Sequence, residues 1–101
     1  KPGRIKVEEQ QALDEYKIRY SDIDLNGHVN SVKYIEHILD LFPMEWFRQK
    51  TVKRFEVAYV AESYYGDTLS FYRQQISENE FDIEVKKNGQ KVVVRSKVIS
   101  N

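Results

Sequence analysis

Asp24, Asn26 and His28 alternate through one short polar stretch, Asp-Leu-Asn-Gly-His. A carboxylate can act as a base or attack a carbonyl, an amide can orient a partner, and an imidazole titrates near neutral pH. Gly27 supplies the positive φ that a tight turn needs. Each residue taken singly is ordinary turn chemistry; together they concentrate a base, an orienting amide and a titratable ring. The residues after the loop strengthen that reading, because Asn30 is a plausible N-cap and Val32, Ile35, Ile38, Leu39 and Phe42 recur at helical spacing up to Pro43. A helix start adds unpaired N–H groups and the positive end of the helix dipole, which can polarise a carbonyl beside such a base.

Other chemistries fit less well. Asp22, Asp24, Asn26 and Gly27 match the opening of an EF-hand calcium loop, but the position that needs a bidentate Glu is Lys33. His28 and His37 are nine residues apart with no cysteine to help, so no metal site is expected, and His37 is read as a helix-surface residue beside Glu36. No nucleophile elbow or Gly-rich phosphate loop occurs, and no cofactor is implied. The 101 residues hold 16 basic and 16 acidic side chains, so net charge points to neither nucleic acid nor an anionic membrane. Without cysteine there is no disulfide and no thiol nucleophile. No apolar run is long enough to span a bilayer, and a soluble protein is expected.

The elements that must hold the loop read as one α+β domain, residues 13–101. Residues 1–12, with a Pro-Gly pair and a polar run, read as a linker or tail, and the start at Lys1 reads as that of a fragment or processed product. A strand is expected from Leu13 to Tyr20, then the loop and the helix. Met44–Lys50 reads as irregular or a short helical turn, with Trp46 and Phe47 available to cover the helix end. Further strands are expected at Val52–Ser63, Thr68–Ile76, Phe81–Val85 and Val92–Ile99. In the first of these, Phe55, Val57, Tyr59 and Ala61 share a face. Asn88-Gly89 between alternating runs predicts a hairpin with a type I′ turn. Five antiparallel strands wrapping one long central helix are the expected architecture.

The stretch DLNGHVNSVKYIEHIL, Asp24 to Leu39, resembles the signature of acyl-[acyl carrier protein] thioesterases, which release fatty acids from carrier protein. Its Gly-His-Val-Asn core is shared more widely among hotdog-fold thioesterases; the extended form from Asn26 to Ile35 points to the carrier-protein branch. The resemblance covers about Leu13 to Ile99, one hotdog domain. Family members usually carry two tandem hotdog domains with the signature in the second, which implies that this chain resembles the C-terminal half and that Lys1–Ala12 is the linker.

Carried over residue by residue, the resemblance makes Asp24, Asn26 and His28 the catalytic loop and places a further acidic residue at Glu62. The family's Cys after that Glu is Ser63 here, which removes a papain-like route. On its own residues, Glu62 reads as a solvated strand charge. The implied mechanism is hydrolysis: Asp24 activates water or attacks the thioester, Asn26 orients, His28 assists proton transfer, Glu62 orients water or His28, and helix-start N–H groups hold the oxyanion. Gly27, Val29, Asn30, Tyr34 and Ser63 are the expected substrate-binding positions. Tyr34, Phe55, Tyr59 and Trp46 are candidates for an acyl slot, with aromatic core the plainer alternative.

Lys33, Arg48, Lys50, Lys53 and Arg54 offer a surface for an acidic acyl carrier protein; Lys86, Lys87 and Lys91 at the hairpin read as solubilising. Two other readings stay open: a hotdog thioesterase acting on acyl-coenzyme A, and a catalytically incomplete half-domain serving dimerisation or domain pairing. Self-association or pairing with a second hotdog domain is expected because an isolated domain exposes surface its twin would cover. The compartments compatible with the family are the bacterial cytoplasm and the plant plastid.

Overall fold

Three consecutive strands form the centre of the molecule, and the turns between them explain why. The structure, a computed structural model, describes residues 11–101, so the proposed linker lies outside the described residues up to Gln10. β3 (Thr68–Ser77), β4 (Glu80–Lys87) and β5 (Lys91–Ser100) make an antiparallel meander. Asn88 and Gly89 both have positive φ, 54° and 69°, as the Asn-Gly hairpin requires. β1 (Asp14–Lys17) pairs outside β3 and β2 (Val52–Tyr59) outside β5, giving the order β1-β3-β4-β5-β2, antiparallel throughout.

Alternation along the strands sorts the two faces. Leu69, Phe71, Phe81, Ile83, Val85 and Val98 are buried in one core cluster with Tyr34 and Ile38 of α1 (Ser31–Leu39). Burying each such side chain contributes roughly 1.5–3 kcal/mol. On the opposite face Asp82 and Glu84 are nearly as buried, but beneath their own counter-ions: Lys97 Nζ lies 2.6 Å from both Glu80 and Asp82, and Arg95 Nε lies 3.2 Å from Glu84.

The expected elements are present, with shifted boundaries. α1 starts as predicted, the Asn30 side chain accepting the Val32 N–H at 2.9 Å, but it is nine residues long and stops at Leu39. Pro43 disfavours helical geometry at Phe42, and Leu41 and Phe42 turn into the core. The Arg73 guanidinium donates to the Leu41 carbonyl. Residues 44–50 are more regular than expected: α2 (Met44–Gln49) brings Trp46 and Phe47 against Phe42, with ring centroids 4.6 and 6.2 Å away.

β1 ends before Tyr20 because buried Asp22 accepts from the Tyr16 hydroxyl (2.7 Å) and the Arg19 N–H (2.8 Å), folding Tyr20–Asp22 into a 3-10 turn. His37 is half-buried rather than open on the helix surface: its ring lies 4.0 Å from that of Tyr16 and 6.0 Å from that of Phe71. No helix among the described residues is long and apolar enough to cross a membrane.

Candidate active site

Residues 23–29 form a closed turn that presents its polar side chains beside the start of α1. Ile23 and Val29 bridge, the Asp24 N–H donates to the His28 carbonyl (2.9 Å), and Gly27 takes φ 84°. Asp24 Oδ1 accepts the N–H groups of Asn26 (2.9 Å) and His28 (3.3 Å), so one carboxylate oxygen locks the loop. Val29 N–H donates to the Ser63 carbonyl (3.0 Å) and Asn30 N–H to the Asp22 carbonyl (2.8 Å), tying the loop to the segment after β2 and to the 3-10 turn.

That segment carries Glu62. β2 leaves the ladder at Tyr59, earlier than its alternation suggests, because the N–H groups of Val60 and Ala61 both converge on the Val93 carbonyl (2.8 and 3.2 Å). Released from the sheet, Glu62 reaches His28, whose Nδ1 lies 2.7 Å from Glu62 Oε1. An ionised carboxylate can only accept, so Nδ1 carries the proton of that bond and the other ring nitrogen is left for chemistry. The solvated-charge reading of Glu62 therefore gives way to a specific pairing, although both side chains keep contact with water.

A cavity of about 280 Å³ opens here, lined by Asp24, His28, Glu62, Ser31 at the helix start, and the Tyr34 and Tyr59 rings. Val29, Asn30 and Ala61 complete its wall. Three of the four expected catalytic side chains thus share one cavity. The fourth does not: Asn26 is exposed, off the lining, and contributes its backbone N–H to Asp24. Of the expected substrate-binding positions, Val29, Asn30 and Tyr34 line the cavity, whereas Gly27 and Ser63 do not. Of the acyl-slot candidates, Phe55 packs against the core and Trp46 lines a separate cavity.

Tyr34 and Ser63 are buried, and neither hydroxyl reaches hydrogen-bond geometry with a partner among the described residues. Burial pushes the Tyr34 phenol up, with the neighbouring Ser63 hydroxyl working the other way. Full burial withholds Ser63 from the nucleophile's role.

Two contributors escape the sequence reading. Lys87 Nζ donates to the Glu62 carbonyl (3.0 Å) and lies 5.2 Å from the Tyr64 ring, which in turn meets the His28 ring edge-on at 5.5 Å. Asn88 accepts the Thr68 N–H (3.0 Å) and donates to Asp67 (3.3 Å), pinning the hairpin tip to the turn after Glu62. The Asn-Gly signal located this tip without showing what it touches. Among the described residues no three His, Asp or Glu side chains converge as a metal site would need.

Comparisons with known proteins bear on the family and the fold. The family model described as acyl-ACP thioesterase C-terminal domain matches residues 5–99. A crystal structure of an acyl-ACP thioesterase from Bacteroides thetaiotaomicron superposes with TM-score 0.95 at 62% identity, covering 100% of this chain and 42% of that one. The 12:0-ACP thioesterase from Umbellularia californica superposes with TM-score 0.82 at 20% identity, over 99% of this chain and 39% of that one, and so shares the fold. A chloroplastic dodecanoyl-[acyl-carrier-protein] hydrolase from Cinnamomum camphora is 36% identical over 44 residues, 44% of this chain and 12% of that enzyme. The chain thus spans less than half the length of these relatives. With a five-stranded antiparallel sheet around a central helix and residues 5–99 matched, this chain is a hotdog domain and belongs to the acyl-ACP thioesterase C-terminal domain family.

Proposed function

We propose that this domain hydrolyses fatty acyl thioesters of acyl carrier protein, releasing the fatty acid. The observation that carries the reading is the convergence of Asp24 and the His28–Glu62 pair on one cavity at the start of α1. Glu62 fixes the imidazole, and His28 moves a proton to or from the reacting oxygen or the departing thiolate. Asp24 promotes attack by water, or attacks, with Oδ1 held by the loop. Asn26 serves through its N–H, and the Ser31 N–H, the one helix-start donor that Asn30 does not already occupy, faces the developing oxyanion together with the positive end of the helix dipole. Thiol release from acyl-carrier protein, with acyl-coenzyme A alongside, tests this. Carrier-linked turnover that Asp24→Asn lowers by about 100-fold or more is expected, the scale of a lost acid–base group. Turnover unchanged in Asp24→Asn overturns the site, and a preference for acyl-coenzyme A overturns the carrier.

The surface favours a second property. Leu25, Val32, Tyr59, Val60, Tyr64 and Tyr65, on the loop, helix start and segment that form the cavity, are each at least 45% exposed, and β2 is a free sheet edge. We read this as a face that pairs with a second hotdog domain or a second copy. For carrier docking the support is thinner, since Lys33, Arg48, Arg54 and Lys86 are each paired with a carboxylate of this chain. We propose a bacterial cytoplasmic location, with a plastid as the alternative; the bacterial source of the 62% identical relative supports the first and the chloroplastic relative the second.

A further inference from the structure

A second cavity, about 370 Å³, shares no lining residue with the first. It lies where α1 has ended, between α2 and the β3–β4 turn, with Phe42, Trp46 and Phe81 as its apolar wall. Two cations line the same space. The Arg73 guanidinium sits 5.2 Å from the Phe42 ring and 5.5 Å from the Phe81 ring, and donates to the Leu41 carbonyl. Lys50 Nζ donates to Asn79 Oδ1 (3.0 Å) and the Asn101 carbonyl (3.2 Å). Among the described residues neither has an Asp or Glu carboxylate within 4.0 Å, whereas Arg48, Arg54, Arg95 and Lys97 each do. No Asp or Glu side chain thus pairs either of the two cations that line this one aromatic-walled cavity. Glu78, on the exposed turn, lines the cavity as well, so the lining carries two cations and one carboxylate.

We infer that this cavity is a binding site for an amphiphilic monocarboxylate, its head between Arg73 and Lys50 and its apolar body against Phe42, Trp46 and Phe81. A guanidinium matches a carboxylate with a paired donor fork, and charge-assisted bonds of this kind are the stronger ones. Burial holds the Arg73 pKa below its usual value, a desolvation that a bound anion would offset. The fatty acid released by the hydrolysis proposed above belongs to this class, so occupancy would report product from outside the reaction cavity. The binding claim itself does not rest on turnover.

Trp46 is the only tryptophan in the chain and forms part of the wall, so its fluorescence reads the site directly. Decanoate, below its micelle-forming concentration, is titrated against decanol and inorganic phosphate. A saturable change with decanoate is expected, at least tenfold weaker with decanol or phosphate. Lys50→Gln should weaken decanoate about tenfold, and Asp24→Asn should leave the titration unchanged. Because Arg73 also holds the Leu41 carbonyl, Arg73→Lys serves as the second variant, retaining the charge while losing the fork and weakening binding with the fold intact by circular dichroism. Absence of a saturable change, equal response to decanol or to phosphate, or full affinity in Lys50→Gln overturns the site. None of these outcomes bears on thiol release.

Discussion

Glu62 shows how a side chain acquires a role from its backbone. On a regular strand it would be a solvated charge; here Val93 takes two N–H groups on one carbonyl, the strand lets go, and the carboxylate turns to His28. Glu62→Gln keeps the shape but replaces the carboxylate that accepts from His28 Nδ1 by a neutral amide, and kcat is expected to fall about 100-fold in the thiol-release assay. Lys87 acts one step back, through the Glu62 carbonyl and the Tyr64 ring. Lys87→Met should lower kcat several-fold with KM nearly unchanged, while Lys91→Met, on the same hairpin with an exposed residue, should change neither. Asn26→Ala retains the N–H that Asp24 accepts, so a loss below about threefold is expected; a larger one would assign work to the amide. Asp24 and His28 were legible in the residue types of one short loop, whereas Glu62 came only through the family resemblance, its own residues reading as a solvated strand charge. Lys87 was not legible, since nothing in its neighbourhood reveals which carbonyl it will meet across the sheet.

Among the elements, those with local causes were the legible ones. The cap at Asn30, the stop near Pro43 and the Asn88-Gly89 hairpin each depend on one or two residues, and each is present. Where the reading slipped, a distant partner decides. β1 yields to Asp22, β2 to the Val93 carbonyl, and His37 is drawn in by Tyr16 from β1 and Phe71 from β3. Asn30 links this scale to the last, because the helix start it caps also borders the cavity. Asn30→Ala should cost about 1 kcal/mol in urea unfolding, and turnover should fall as the helix start frays.

At the scale of the whole molecule, the two faces of the sheet answer to different conditions. Burial pulls the Lys97 ammonium down, but its bonds to Asp82 and Glu80 outweigh that and raise its pKa. The charged form is therefore favoured by folding: this stability is fully present below the unfolded lysine value, near 10.4, and is lost as pH rises through the folded value. Tyr16, raised mainly by its hydrogen bond to Asp22, and Tyr34, raised mainly by burial, act in the same direction. Melting temperature should thus drop in the alkaline range, and Lys97→Met, which leaves buried Asp82 unpaired, should cost about 3 kcal/mol at neutral pH and flatten that drop. The exposed apolar face around the cavity predicts a molecular size that falls on dilution, and a strictly monomeric chain would remove the pairing proposal. The strand order carries a consequence of another kind. β2, which leads to Glu62, pairs in the sheet only with β5, the strand latest in sequence order within this sheet. On the ribosome the polar loop and its helix emerge long before that partner, so a nascent chain can hold Asp24, His28 and Glu62 before the sheet that brings them together is complete. The cavity wall would close abruptly, when the ten residues of β5 pair with β2 and β4.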